Sequence, residues 1–283
     1  MANRVLVIGA TGHVGDPLVK TLLAQGISVR AASRSGQSAA EAEGVVFDLM
    51  KPETFGPAFE GIDCAYVLAP TGTTQPKEML MPVIEALVER RIKIVLQSVL
   101  GVDADDSIPY RQIEIALEQS ATPYVILRPN WFSDNFHTFW KGGVAQGNLE
   151  LPAGTGRTSF IDVRDIAESA AAALTLDRFD GQAFDLTGPR ALSYGEAVEI
   201  LAQVIGSPVS YTPIDDDAFI AQLCQAGVVE DYARFLASIF YPVREGWVAR
   251  VTDSVTQLTG HPPRSLETYA MDHKGDLAGM ALT

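Results

Sequence analysis

The sequence predicts an α/β fold, a doubly wound parallel sheet followed by a smaller, mainly helical C-terminal lobe. In the first half, short runs of Val, Ile and Leu alternate with amphipathic segments, a rhythm typical of βαβ units. A glycine-rich turn, "GATGHVG", lies between the first apolar run and the first helical pattern. From Leu192 onward helical patterns dominate. We therefore expect a Rossmann-type domain over residues 1–190 and a helical lobe over 191–283.

The predicted strands are rich in Val, Ile and Leu on both faces, as strands covered by helices on each side should be. They are Arg4–Ile8, Ile27–Ala32, Val45–Phe47, Asp63–Ala69, Ile92–Gln97 and Tyr124–Leu127. Helical or turn patterns connect them at His13–Gln25, Pro52–Phe59, Lys77–Arg90 and Tyr110–Gln119. Gly26 stands where the first helix should end.

After Arg128 the pattern changes. Residues 129–143, "PNWFSDNFHTFWKGG", predict an aromatic helix ended by two glycines, and residues 130–157 are expected to contribute to a substrate cleft. Residues 160–174, "FIDVRDIAESAAAAL", predict a strand that turns into an alanine-rich helix, and "AFDLTG" predicts one more strand. Further helices are expected beyond Leu192, with a short strand at Val209–Thr212.

Composition excludes several classes of function. The formal net charge of −14 over 283 residues disfavours nucleic acid and anionic membranes as partners, because phosphate binding needs clustered Lys and Arg. The sequence shows no charged leader and no apolar run that could span a bilayer. Cys64 and Cys224 lie far apart and predict reduced core residues. We expect a soluble, cytoplasmic monomer or homodimer, and the four scattered histidines predict no metal site.

The glycine turn predicts a dinucleotide site. Gly9, Gly12 and Gly15 let the backbone approach a pyrophosphate, whose charge then meets the amino-terminal end of the helix. The intervening residues expected to contact the cofactor are Thr11, His13 and Val14. The alternative is that these glycines only permit a tight turn.

The end of the second strand predicts NADP rather than NAD. An NAD site normally presents an acid there for the ribose diol, yet no Asp or Glu occurs between Pro17 and Ala40. Ser33 and Arg34 occupy the position instead, and Arg34 can pair with a 2′-phosphate. The alternative interpretation is that Arg34 is a solvated loop residue.

Other strand ends supply further cofactor candidates. Asp48 follows the third strand, where it can accept a hydrogen bond from the adenine amino group or simply cap the next helix. Backbone near the ribose and nicotinamide is expected at the end of the fourth strand. Contact with the carboxamide or the substrate is expected at the end of the sixth. These candidates are Leu68, Ala69, Pro70, Pro129 and Asn130.

The chain resembles the NmrA-like branch of the atypical short-chain dehydrogenase/reductases. The resemblance rests on the GxxGxxG turn, the Arg after the second strand, "QSVLG", "LRPNWFSDNF" and "FIDVRDIA". It covers nearly the whole chain and implies the fold and NAD(P)H binding. Relatives include quinone, triphenylmethane, isoflavone-type and iminium reductases, and a regulator that binds the cofactor without turnover, so the resemblance does not specify a substrate.

The sequence departs from the wider superfamily at its proton relay. That relay is a Tyr-x-x-x-Lys pair, in which the lysine lowers the pKa of the tyrosine. No Tyr here is followed by Lys four residues later; the tyrosine in the corresponding place is Tyr110, followed by Glu114. We expect this carboxylate, if close, to raise the phenol pKa. Ser98 matches the superfamily's catalytic serine in position only. It is a candidate for catalysis and for contact with the cofactor. The alternative is that it only makes a strand-end hydrogen bond.

An acceptor that takes hydride easily suits such a site, for example a quinone, an iminium ion or a conjugated cation. Trp131, Phe132, Phe136 and Trp140 are predicted to form a flat apolar wall for it. The alternative is that these aromatic residues belong to the core, and Phe240, Tyr241 and Trp247 carry the same two interpretations. Asp162 and Asp165 are interpreted as structural caps.

The sequence thus predicts an NADPH-dependent reductase of a conjugated, aromatic or quinonoid small molecule. The principal alternative is a non-catalytic NADP(H) sensor that controls a protein partner. An isomerase or lyase that uses bound cofactor structurally finds no support in the residues.

Overall fold

The computed structural model describes residues 4–38 and 41–279. Residues 1–3, on which the expectation of no leader segment depends, lie outside the described part. The strands are β1 (Arg4–Ile8), β2 (Ser28–Ser33), β3 (Glu43–Val46), β4 (Cys64–Leu68), β5 (Lys93–Gln97), β6 (Tyr124–Pro129), β7 (Asn148–Leu151), β8 (Arg157–Thr158), β9 (Gln182–Leu186), β10 (Leu192–Ser193) and β11 (Ser210–Pro213).

Helices alternate with these strands in the first half and dominate the second half. They are α1 (Gly15–Ala24), α2 (Phe55–Phe59), α3 (Pro76–Glu89), α4 (Pro109–Glu118), α5 (Lys141–Gln146), α6 (Val163–Thr175), α7 (Tyr194–Ile205), α8 (Asp216–Gln225), α9 (Glu230–Ser238), α10 (Tyr241–Arg244), α11 (Ser254–Thr259), α12 (Leu266–Asp272) and α13 (Lys274–Leu277). None of those within the described ranges has the length and apolar content of a membrane span.

The chain divides into two compact units, each built from three stretches of sequence. The first unit comprises Met1–Pro129, Val163–Leu186 and Ser254–His261. The second comprises Asn130–Asp162, Thr187–Asp253 and Pro262–Thr283. The chain leaves the first unit at Pro129, returns at Val163 and leaves it again at Leu186, four residues before the boundary expected after residue 190. The expected division of labour, cofactor in one part and substrate in the other, stays a prediction.

The first unit contains a seven-stranded parallel sheet in the order β3-β2-β1-β4-β5-β6-β9. Chain order reverses between β1 and β4, which is the switch point where such sheets open a crevice at their carboxyl ends. Helices α1, α6 and α11 pack together on one face, and α2, α3 and α4 on the other. This arrangement confirms the predicted Rossmann-type fold class.

The core of the first unit explains the apolar runs of the sequence. Leu6, Ala65, Ile94 and Ile126 come from four neighbouring strands and are fully buried in one cluster. Side chains from α3 and α4 complete that cluster. At roughly 1.5–3 kcal/mol for each fully buried large apolar side chain, this layer supplies much of the driving force for folding.

The second unit is mainly helical. Two short strand pairs, β7 with β11 in parallel and β8 with β10 antiparallel, accompany its helices. Helix α7 has a capping box in which Ser193 and Glu196 bond each other's backbone amides. Helix α12 packs on α7, and α9 packs on α8.

The predicted aromatic helix over residues 129–143 is wrong. Residues 131–133 are extended instead, because Ser133 N donates to Ile161 O (2.8 Å) and Ile161 N donates to Trp131 O (2.9 Å). A short 3-10 helix, Ser133–Phe136, follows. Gly143 does not end a helix but lies inside α5, where a Cβ would stand 2.9 Å from the Asn148 carbonyl oxygen.

The strand expected before α6 is also wrong. Its residues form only the single bridge between Ile161 and Phe132, and α6 begins at Val163. A backbone that must turn into a helix within two residues leaves no room for a longer ladder.

Candidate functional site

The glycine turn lies at the carboxyl end of β1, and each of its glycines has a distinct steric reason. Gly9 has φ +71°, the left-handed region that favours glycine. A Cβ on Gly12 would stand 3.2 Å from the Gly9 carbonyl oxygen, and a Cβ on Gly15 only 2.0 Å from it. Gly15 thus permits α1 to approach the strand, whereas Gly12 is exposed and meets a milder steric limit.

The start of α1 fits a pyrophosphate. Thr11, Gly12 and His13 are exposed, and the cap residue Val14 makes no side-chain bond to the first turn, where Asp16 N donates to Gly12 O at 3.0 Å. The exposed backbone of the glycine turn and the positive end of the helix dipole favour an anion. The residues present therefore fit the phosphates of a dinucleotide.

The end of β2 carries an exposed cation. Arg34 is exposed, and within the described ranges its guanidinium makes no hydrogen bond or ion pair. Ser33 is nearly buried and its hydroxyl donates to the Gln37 carbonyl at 2.8 Å. A 2′-phosphate would therefore meet Arg34 first, and Ser33 would have to exchange partners to join it.

Asp48 is engaged in its own turn. One carboxylate oxygen accepts from the Met50 amide at 3.0 Å, and the other lies 4.0 Å from the Lys51 ammonium. Asp48 therefore does not cap the next helix as the alternative expected: the 3-10 turn Pro52–Thr54 follows Lys51 and has no side-chain cap. The contact with adenine stays a prediction.

Ser98 has unused hydrogen-bonding capacity. It follows β5, its amide donates to the Leu127 carbonyl at 2.8 Å, and its side chain is buried. No partner for its Oγ is found among the residues described. Buried polar groups are rarely left unpaired, so this hydroxyl still has hydrogen-bonding capacity, and its contact with the cofactor stays a prediction. Leu68 and Ala69, at the end of β4, are half-buried and Pro70 is exposed.

The expected action of Glu114 on Tyr110 is wrong. Burial against the hydrophobic cluster raises the pKa of Tyr110 to about 12, without a contribution from Glu114. The Glu114 carboxylate is occupied by Arg128, at 2.9 and 2.7 Å, and by Arg111 at 3.1 Å. Tyr110 is thus a neutral phenol throughout the physiological range, for a different reason than the sequence indicated.

Arg128 organises a buried ion network that the sequence analysis missed. Besides Glu114 it binds Asp103 at 2.7 Å and lies 3.8 Å from Asp185. Burial by itself lowers the pKa of Arg128, but the bonds and fields of these carboxylates outweigh it and raise the pKa above its ordinary value. An arginine inside the apolar run "YVILRP" is the signal that a buried partner must exist.

Asn130 opens the second unit and has no capacity left for a ligand. Its Nδ2 donates to Ser159 Oγ (2.7 Å) and to the Val248 carbonyl (2.8 Å). Its Oδ1 accepts from the Trp131 amide (2.9 Å) and Thr158 Oγ1 (3.0 Å). These four bonds satisfy the whole amide. A contact with the cofactor or substrate would require one of them to break.

The predicted aromatic wall is largely packed inside the second unit. Phe136 and Trp140 are buried and meet edge to face with ring centroids 5.0 Å apart. Trp131 is half-buried between Trp140 at 5.8 Å and Phe240 at 4.8 Å, and Phe132 is half-buried. This supports the core interpretation for Phe136 and Trp140; substrate contact by Trp131 and Phe132 stays a prediction.

The structure brings Asp165, Glu168 and His261 together, with one potential ligand atom of each within 4.8 Å of the others. Spacing in the sequence did not indicate this group. His261 Nε2 and Glu168 lie 2.6 Å apart, and this hydrogen bond accounts for their approach without an ion.

Known proteins match the chain over most of its length. The family model described as NAD(P)H-binding matches residues 9–177. Prestalk A differentiation protein A of Dictyostelium discoideum is 31% identical, over 97% of this chain and 94% of that protein. Uncharacterized oxidoreductase YesF of Bacillus subtilis is 33% identical over 96% and 95%. NAD(P)H azoreductase of Xenophilus azovorans is 28% identical over 95% and 97%.

Solved structures share the fold at lower identity. A triphenylmethane reductase of Citrobacter sp., complexed with NADP(H), superposes with a TM-score of 0.82 at 21% identity, covering 96% of this chain and 99% of that one. The NADPH complex of a quinone oxidoreductase of Escherichia coli gives 0.82 at 21%, covering 95% and 99%. The negative transcriptional regulator NmrA gives 0.77 at 16%, covering 95% and 94%.

Proposed function

This chain belongs to the NAD(P)H-binding family, in its NmrA-like branch of atypical short-chain dehydrogenase/reductases, and we propose that it is an NADPH-dependent reductase of conjugated small molecules. That it is an NAD(P)H-dependent oxidoreductase follows from its relatives. The proposal adds the choice of NADPH and the class of acceptor, a quinone, an iminium ion or a related aromatic compound.

The proposed acceptor class rests on one observation, which is that Tyr110 is not an activated proton donor. Its phenol has a pKa of about 12 because it is buried, and no lysine follows it at the required spacing. An ordinary ketone needs a proton donor matched to the operating pH. A conjugated acceptor delocalises the incoming charge and does not need such a proton donor.

Bound NADPH supplies a hydride from C4 of its nicotinamide. The residues of this chain bind and orient the cofactor. The glycine turn and the start of α1 would hold the pyrophosphate, Arg34 would pair with the 2′-phosphate, and the Ser98 hydroxyl would bond the ribose or carboxamide. Positioning of this kind contributes most of the rate when little proton transfer is required.

The preference for NADPH has two supports. The acid that would accept the NAD ribose diol is missing from the end of β2, and the exposed guanidinium of Arg34 stands there without a protein partner among the described residues. An unpaired Arg can donate two parallel hydrogen bonds to a phosphate dianion.

Oxidation of NADPH against a panel of quinones, iminium ions and ketones tests the proposal. We expect turnover with conjugated acceptors, little with simple ketones, and a higher kcat/KM with NADPH than with NADH. Tight NADPH binding without turnover of any acceptor would instead identify a sensor of the NmrA kind. Efficient ketone reduction would contradict the proposed acceptor class.

A further inference from the structure

We propose that Gly44 on β3 is a positioning residue for cofactor choice, because it seats the loop that carries Arg34. This loop, residues 34–38, is called the Arg34 loop below. Gly44 does not touch the cofactor; it acts by holding Arg34 where a 2′-phosphate binds. The inference rests on the proposed choice of NADPH and deepens it. All the residues concerned lie in the first unit.

The Arg34 loop crosses β3 through two glycines in close contact. A Cβ on Gly44 would stand 2.2 Å from the Gly36 carbonyl oxygen and 3.5 Å from the Ser38 amide nitrogen. Gly36 has φ +70°, the left-handed region, and a Cβ on it would stand 2.9 Å from Cγ2 of Val46. Since a Cβ does not come within 3.0 Å of another heavy atom, only glycine at position 44 permits this crossing.

Hydrogen bonds fix the start of the same loop. The Ser33 carbonyl accepts from the Gly36 amide at 3.1 Å and from the Phe47 amide at 2.9 Å. The Ser33 hydroxyl donates to the Gln37 carbonyl at 2.8 Å, which closes the turn around Arg34. Among the described residues the Arg34 guanidinium has no partner of its own. The contacts of its neighbours therefore set its position.

The strand beneath the loop is firmly held, so a side chain added at Gly44 would displace the loop and not the strand. Gly44 pairs in register with Ala31 of β2. Glu43, the residue before it, is bound by Arg30 at 3.1 Å and by Arg4. The buried Arg30 guanidinium also donates to three carbonyls at the carboxyl end of α2, at 2.7, 3.0 and 3.1 Å.

A displaced loop weakens only a ligand that uses it. The paired hydrogen bonds from a guanidinium to a phosphate depend on the orientation of the guanidinium, and Arg34 is two residues from Gly36. NADPH and 2′,5′-ADP carry the 2′-phosphate, whereas NADH does not. The substitution Gly44→Ala therefore tests the loop without removing any group that contacts the cofactor.

Calorimetric titration of Gly44→Ala with these three ligands is the direct test. We expect the Kd of NADPH and of 2′,5′-ADP to rise about three- to tenfold, less than in Arg34→Ala, because the guanidinium is misplaced but present. The Kd of NADH should change by less than about twofold, which also shows that the variant is folded. The control Gly56→Ala makes the same substitution at an exposed position of the first unit where a Cβ meets nothing within 4 Å, and should change none of the three.

The double variant shows whether Gly44 acts through Arg34. In the Arg34→Ala background, Gly44→Ala should change the Kd of NADPH by less than about twofold, because the contact that it disturbs is already absent. Equal weakening of NADPH and NADH by Gly44→Ala, an unchanged preference for NADPH, or a full additional loss in the double variant would each overturn the positioning role.

Val46→Ala tests the same crossing without inserting an atom, and it decides the question if Gly44→Ala does not fold. It removes exposed methyl groups against which Gly36 packs, so the preference for NADPH over NADH should fall about two- to threefold. An unchanged preference would then reject the inference. A wild type that binds NADPH no more tightly than NADH would instead contradict the proposed cofactor choice. Turnover does not enter these binding measurements, so a failure of the reductase activity is seen separately.

Discussion

At the scale of single residues, unused bonding capacity distinguishes side chains that can meet a ligand from those that cannot. Asn130 makes four hydrogen bonds and is complete. Arg34 and the Ser98 hydroxyl, by contrast, have no partner within the residues described. The sequence places all three at strand ends with equal plausibility. Only the folded structure shows which of them still has an unsatisfied hydrogen-bonding group.

Arg34→Ala should weaken NADPH binding far more than NADH binding, because only NADPH carries the 2′-phosphate. Losing one charge-assisted contact should cost about 1.5–3 kcal/mol. Calorimetric titration of the wild type and the variant with both cofactors measures this. Arg34→Lys keeps the charge but not the planar guanidinium, so its affinity for NADPH should lie between those of the wild type and Arg34→Ala. Equal weakening of both cofactors, or a wild type that prefers NADH, would contradict the assignment.

Gly12→Val should abolish cofactor binding and leave the fold largely intact. Gly12 is exposed, so the added methyl groups would occupy the space that the pyrophosphate must enter. Gly15→Ala is the contrasting variant: its Cβ would lie 2.0 Å from the Gly9 carbonyl oxygen, so it should destabilise the protein itself. Circular dichroism and NADPH titration separate the two effects. A folded Gly12→Val that binds normally would place the phosphates elsewhere.

Tyr110→Phe should reduce turnover of a conjugated acceptor by less than the ~10²–10⁴-fold typical of a lost acid–base catalyst. Burial holds the pKa of Tyr110 at about 12, so the phenol stays neutral and the rate should show no ionisation of this group between about pH 6 and about pH 9. Rapid-mixing kinetics with NADPH and a quinone measure this. A hundredfold loss with normal NADPH binding and rate-limiting hydride transfer would make Tyr110 the proton donor.

At the scale of elements, periodicity located the strands of the sheet but misassigned the aromatic segment. The strands β1 to β6 lie where apolar runs predict them, with ends shifted by one or two residues. Residues 131–133 instead follow their partner Ile161, which is distant in sequence. A backbone pairing between residues this far apart in the sequence leaves no trace in the local spacing of apolar residues. The helix expected there could therefore not have been rejected from the sequence alone.

The Glu114–Arg128 bond joins α4 to β6. Glu114 is fully buried, and Glu114→Gln would leave the buried Arg128 and the nearby Arg111 without their shared counter-charge. Such a loss should lower the free energy of unfolding by about 3 kcal/mol or more. Glu118→Gln, which removes a one-third exposed carboxylate that pairs with Arg111, should cost less than about 1 kcal/mol. Urea denaturation compares the two; equal costs would show that the buried network does not stabilise the pair.

At the scale of the whole molecule, the sequence predicted the fold class and the glycine turn because both follow from local patterns. It did not reveal that each compact unit draws on three separate stretches, since Val163–Leu186 and Ser254–His261 return to the first unit from later in the chain. The engagement of Glu114 away from Tyr110 was also hidden, because its partner Arg128 is fourteen residues further along the chain. Contacts of long sequence separation account for both.

Hydrogen exchange can locate the cofactor on the first unit. Bound ligand slows exchange where it suppresses local opening. NADPH should protect backbone amides over 9–15 and 33–36 in the first unit, the glycine turn and the loop that follows β2. NADH should protect 9–15 equally and 33–36 less, because it lacks the phosphate that pairs with Arg34. Protection of 33–36 that is the same with both cofactors would leave Arg34 without a role in cofactor choice.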